Sequence, residues 1–162
     1  MAVVELLLPS SPEHVRTARL VVVAAARRAG LGDATVDELR LAVGEACARA
    51  VGLHRAHAPE QRVAITVTDD PTGLAVAVTD AGPPAGPAVD DVAGGFVDDS
   101  DDGGDDGGDE VAPDLSLALL AGLVDDVEVG SADRGTGTTV TLRWPLPPRV
   151  PGGPPSTAAA PQ

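Results

Sequence analysis

Strand-like and helix-like spacings of apolar residues alternate along this chain. Residues 2–8, AVVELLL, form an apolar run closed by Pro9 and Ser10, which predicts a strand. Ser11 then stands where a residue caps a helix, with Pro12 at the first helical position. Val15, Ala18, Val22 and Ala25 recur at helical spacing until Gly30 ends the pattern, and Arg16, Arg19, Arg27 and Arg28 mark the solvated side. A second helix is predicted from about Thr35 to His54, its buried stripe traced by Val36, Leu39, Val43, Ala46 or Cys47, and Ala50. Two strands follow, RVAITVTD and GLAVAVTD, joined by the turn-forming Asp70-Pro71-Thr72-Gly73. Alternation of Val63, Ile65 and Val67 predicts a half-buried hairpin.

Residues 81–113 lose all periodicity. They are Gly, Pro and Asp almost throughout, and such a stretch buries too little surface to order, so a long disordered acidic loop is expected. Order is predicted to resume in DLSLALLAGLV, a short apolar helix capped by Asp114, followed by strands DVEVG and GTTVTLRWP. Residues 145–162 read as a disordered Pro/Gly/Ala-rich tail. The order β-α-α-β-β-(long loop)-α-β-β predicts one α+β domain over residues 1–144. Its expected form is a two-layer sandwich of a mixed, mostly antiparallel sheet with helices on one face.

Composition narrows the picture. A chain of 162 residues supports one domain and little more. Phe96 and Trp144 are the only aromatics, so Val, Leu and Ala must fill the core. Every basic residue is an arginine, and the chain contains no Asn. A formal charge of −14 argues against nucleic acid and against an anionic membrane surface, both of which select clustered cations. The single Cys47 excludes an internal disulfide and reads as a small core residue. A lone thiol, no signal-peptide pattern and no membrane-length apolar run together point to the cytoplasm.

Candidate chemistry collects at four places. The second helix carries Glu45-Ala46-Cys47-Ala48-Arg49, where the i, i+4 spacing also suits a surface ion pair worth about 0.2–0.5 kcal/mol. VTDAG places Asp80 and Gly82 at a strand end, just before a Gly-Pro-Pro break. Asp114-Leu115-Ser116-Leu117-Ala118-Leu119 opens the third helix, and TGTTVTLRWP brings Gly137 and Thr138 to the start of the last strand.

With the element order, these stretches resemble the GHKL (histidine-kinase-like) ATPase fold over roughly residues 3–144. Within it, the chain is similar to the bacterial anti-sigma factor and serine-protein kinase branch. The resemblance implies an ATP site in which Glu45 is the general base and Asp80 accepts a hydrogen bond from the adenine amino group. Gly82 would let the backbone approach the ring, Ser116 lies in the phosphate-cradling segment, and Gly137 and Thr138 floor the adenine pocket. In the family an Asn four residues after the Glu holds Mg²⁺. Arg49 stands there in this chain, so the resemblance makes Arg49 a cofactor-binding residue that touches phosphate in place of the ion, with no metal ligand expected. Asp114 likewise replaces a glycine of the family's phosphate loop.

His14, His54 and His57 read as terminal or solvent-facing, and no His/Cys cluster suits a metal. Asp99, Asp101, Gly104 and Glu110 match four positions of a calcium loop, but Gly103 occupies a ligand position and a solvated, self-repelling loop remains the reading. The resemblance implies a partner-switching anti-sigma-type regulator. Its partners would be a sigma factor and an anti-anti-sigma (STAS-domain) protein, with room for a homodimer and with weakened nucleotide chemistry. The alternative is an active serine/threonine-protein kinase that phosphorylates the STAS protein with ATP·Mg²⁺.

Overall fold

The computed structural model describes residues 1–83, 113–132 and 136–146, and of residues 113 and 114 only the backbone. The predicted acidic loop beyond residue 83, its calcium-loop positions and the tail beyond Leu146 lie outside the described residues.

Apolar alternation places strand β1 at Ala2–Leu8, β2 at Val63–Asp69, β3 at Gly73–Thr79, β4 at Asp126–Ser131 and β5 at Thr138–Pro145. They form one sheet in the order β1-β2-β3-β5-β4. All four pairings are antiparallel. The register aligns Leu6, Ile65, Val78 and Val140 in one row and Val4, Val67, Val76 and Leu142 in the next. Ile65, Val67, Val76, Val78, Val140 and Leu142 are buried, so period-two alternation sends one face of the sheet to the core. The other face carries Thr66, Ala77 and Thr141 and is half-exposed.

Helices α1 (Glu13–Ala29), α2 (Asp33–His57) and α3 (Pro113–Leu123) supply the second layer. Val15, Ala18, Val22 and Ala25 of α1 are buried, as are Val36, Leu39, Val43, Ala46, Cys47 and Ala50 of α2. Small side chains let both helices lie close to the sheet. Gly30 ends α1 in a left-handed conformation (φ 95°) that a Cβ would strain, and its N–H donates to the carbonyls of Ala26 and Arg27. The start of α1 differs from expectation: Pro12 itself has helical angles just before the helix, and the Ser11 carbonyl, not its hydroxyl, accepts from His14 N at 3.1 Å. Helix α2 begins two residues before Thr35 and runs three past His54, because nothing in Asp33-Ala34 or in Arg55-Ala56-His57 breaks a helix. The backbone of α3 is already helical at Pro113, so Asp114 lies inside the helix rather than before it.

A polar contact also fastens the layers. Trp144 Nε1 donates to Glu38 Oε1 at 2.9 Å, tying the end of β5 to the start of α2. Burial pushes the Cys47 thiol up to about 12, only partly offset by the Arg19 charge, which leaves it a packing residue. Among the described residues no helix is long and apolar enough to cross a membrane.

The β2–β3 turn is built on Asp70, whose Oδ1 accepts from the Thr72 hydroxyl at 2.6 Å, Thr72 N at 2.7 Å and Gly73 N at 3.0 Å. These bonds, the Thr72 hydroxyl first, hold its carboxyl below the usual carboxylate range. A depressed folded-state value stabilises the fold above the unfolded value and is lost as pH falls through the folded one. The stability gap between wild type and Asp70→Ala in urea melts is therefore expected to narrow as pH drops below about 4. A gap that is constant with pH would rule out the carboxylate as the turn's anchor.

Candidate functional site

Because β3 and β5 are antiparallel, with Thr79 opposite Thr139, the exit of β3 meets the entrance of β5. Asp80 sits at that meeting point. Its N–H donates to Thr138 O at 2.9 Å, and its Oδ1 accepts from Gly82 N at 2.9 Å and Thr138 N at 3.3 Å. The carboxylate thus joins two strand ends that the ladder alone leaves open.

Gly137 permits the approach. It takes φ 108°, and a Cβ there would stand 1.9 Å from Asp80 O, inside any contact distance. At Gly82 a Cβ would lie 3.0 Å from Leu53 Cβ, so this residue is pressed against α2.

Helix α2 crosses above. Arg49 Nη1 donates to Asp80 Oδ2 at 2.8 Å, and the two side chains are 2% and 1% exposed. This is a buried, charge-assisted ion pair between two residues to which the resemblance gives separate duties at one pocket. Arg49 does not take the i, i+4 partner its spacing offered, and no Glu45–Arg49 pair forms among the described residues. The guanidinium points inward because Ala42, Ala46, Arg49 and Leu53 share a buried helical stripe. Arg49 Nε is buried with no acceptor among the described residues, an uncompensated donor in an otherwise satisfied cluster.

His54 corrects the reading of a solvent-facing helix end, since it is 0% exposed. Its Nε2 accepts from Ala81 N at 2.7 Å, while Nδ1 lies 3.1 Å from Gln61 O and 3.4 Å from Ser10 Oγ. An Nε2 that accepts a backbone N–H is unprotonated, which places the ring proton on Nδ1, donating to Gln61 O. The signal was present in sequence: Val43, Cys47, Ala50 and His54 continue one stripe at spacings of four, three and four. His54 and Arg49 together hold the loop from Asp80 to Gly82 against α2, one through backbone and one through the carboxylate.

One turn earlier on α2, Glu45 Oε1 accepts from the Ser116 hydroxyl at 2.9 Å. Ser116 is buried on α3, and the bond links the two helices. Glu45 also lines a cavity of about 490 Å³ at α1 and α2, with Pro12, Arg19, Leu41, Gly44 and Arg55. The site therefore divides. Arg49, Asp80, Gly82, Gly137 and Thr138 converge in a sealed cluster, whereas Glu45, bonded to the buried Ser116, lines an open cavity. Among the described residues no group of His, Cys, Asp or Glu is placed to hold a metal ion.

Residues 8–144 match the family model of the histidine kinase-like ATPase domain. In three dimensions the chain is similar to the RsbU and RsbW domains of Rv1364c from Mycobacterium tuberculosis, with a TM-score of 0.59 and 16% identity. That similarity covers 92% of this chain and 34% of the other, so the chain spans about a third of that protein's length and the likeness is one of fold. No curated protein matches it in sequence.

Removing one member of a buried pair strands the other. Arg49→Ala is expected to destabilise by about 3–5 kcal/mol in denaturant melts. Arg49→Leu combined with Asp80→Asn should recover more than half of that loss, because the amide oxygen can still accept from Gly82 and Thr138. Additive losses across Arg49→Leu, Asp80→Asn and their combination would show that the pair is not coupled. Gly137→Ala should cost about 3 kcal/mol or more, since both the backbone angle and the Asp80 carbonyl oppose a methyl group. A thermal melt matching wild type would contradict that packing.

Proposed function

This chain belongs to the histidine kinase-like ATPase family, and from that premise we propose that it is an anti-sigma-type regulatory protein. Its proposed work is partner switching between a sigma factor and an anti-anti-sigma STAS-domain protein, by recognition rather than phosphoryl transfer. Membership of an ATPase family implies nucleotide binding in general. The observation that carries the narrower reading is the Arg49–Asp80 pair.

The residues present fit ATP·Mg²⁺ poorly. Arg49 occupies the position from which the family resemblance would have a side chain hold Mg²⁺, and a guanidinium offers five donors and no acceptor to a cation. The carboxylate assigned to the adenine amino group accepts three internal hydrogen bonds and is almost wholly buried. What remains open is surface: a cavity with two arginines in a chain of formal charge −14, a site suited to acidic groups of a protein partner.

The structural likeness to a protein with an RsbW domain supports this reading at the level of fold.

One observation favours the kinase alternative. Glu45 is not tied up by Arg49; its hydrogen-bond partner is a neutral hydroxyl, and it faces the cavity. In that reading Glu45 would take the proton from the STAS protein's serine hydroxyl, and ATP, if bound, would supply the phosphoryl group and leave as ADP.

Direct binding separates the two. The purified chain, titrated with the sigma factors and STAS proteins of its own genome, is expected to bind one of each in mutually exclusive complexes. Arg19→Glu should weaken at least one complex about tenfold or more. Absence of any such complex would sink the regulator reading, and rapid Mg²⁺-dependent transfer of phosphate to a STAS serine, lost in Glu45→Gln, would establish the alternative.

A further inference from the structure

We propose that the Arg49–Asp80 ion pair, backed by the His54–Ala81 bond, replaces a bound nucleotide as the element that fixes this site, so that the chain engages its partners without control by adenine nucleotide. This extends the partner-switching reading and rests on it only where partners are concerned; the statement about nucleotide stands on the cluster itself.

Recognition of an adenine amino group needs an acceptor that the base edge can reach. Asp80 offers none. Its Oδ1 is engaged by two backbone N–H groups and its Oδ2 by the Arg49 guanidinium, and the side chain is 1% exposed. A ring could enter only if Arg49 withdrew, which would separate two opposite charges in a low-dielectric interior. Arg49 has nowhere obvious to go, because it lies in the buried stripe of α2 with Leu53 one turn along.

The backbone is closed as well. Glycine in a base pocket is useful when its Cα face is open to the ring. Here the Cβ direction of Gly82 meets Leu53 Cβ and Asp80 Oδ1 at 3.0 and 3.2 Å. The N–H of Ala81, between them, donates to His54 Nε2 at 2.7 Å. Two side chains of one helix therefore set the loop that a nucleotide would otherwise order. Binding a ligand stabilises a loop in proportion to the states it removes, and a loop already fixed gains nothing from it.

Calorimetric titration of the full chain with ATP, with and without Mg²⁺, tests this directly. No saturable binding is expected up to millimolar nucleotide. A dissociation constant in the micromolar range in either condition would overturn the proposal. Arg49→Asn, checked for folding by Trp144 emission and cooperative melting, is expected to free the carboxylate and tighten ATP binding at least tenfold over wild type. A folded Arg49→Asn protein that still ignores ATP would refute the pair as the block. If that variant does not fold, the wild-type titration decides alone. Finally, the affinity for a protein partner should change less than twofold when ATP·Mg²⁺ is added, and a tenfold change would also overturn the proposal. The nucleotide titration needs no partner, so a missing sigma or STAS complex would sink the regulator reading and leave this result standing.

Discussion

The contact between Arg49 and Asp80 organises everything around it. Two charges this deeply buried persist only when each compensates the other and the remaining lone pairs find donors. Asp80 meets that requirement through Gly82 and Thr138, and in doing so it joins the ends of β3 and β5. Arg49 meets most of it through Asp80 and thereby fixes α2 over the same strand ends. Helix, sheet and loop are thus held at one point by electrostatics, while the Val, Leu and Ala layers between them are held by packing alone. The orphaned Nε of Arg49 is the residual expense of that arrangement.

A chain with almost no aromatic residues has few large side chains with which to lock layers in a single register. Its polar contacts take over part of that role: Arg49 with Asp80, His54 with Ala81 and Gln61, Trp144 with Glu38, Glu45 with Ser116. All but the His54–Gln61 contact join residues at least 27 apart in sequence, and each has one member on α2. That helix is both the widest packing surface and the carrier of the site, which explains why it combines charged residues with small ones. Its buried face needs directional partners as well as bulk.

The division of the site follows from helical geometry. Glu45 and Arg49 are one turn apart, yet Glu45 faces Ser116 and an open cavity while Arg49 turns into the interior. Under the proposed partner-switching reading the open half serves surface recognition, because turnover requires both halves to meet the same ligand. The family's nucleotide fold supplies the scaffold. In this chain Arg49 closes a buried ion pair with Asp80 inside that scaffold.

Much of this was determined by the sequence itself. Apolar periods defined five strands and three helices to within a few residues, and the hairpins β2–β3 and β4–β5 followed from short connections, whereas the antiparallel pairing of β1 with β2 and of β3 with β5 came only with the fold. Gly30 marked the end of α1, and the motifs around Glu45, Asp80 and Gly137 picked out residues whose contacts the structure describes, because local spacing is what these features consist of. Partner choice was not written locally. Arg49 had Glu45 at the favoured helical distance and chose Asp80, thirty-one residues away, since only folding brings β3 beneath that turn of α2. His54 looked like a helix terminus and proved to be a buried acceptor, since only the tertiary structure places the Ala81 N–H against its ring. Periodicity fixes which face a residue occupies; what waits on the other side of that face is decided by the packing of the whole chain.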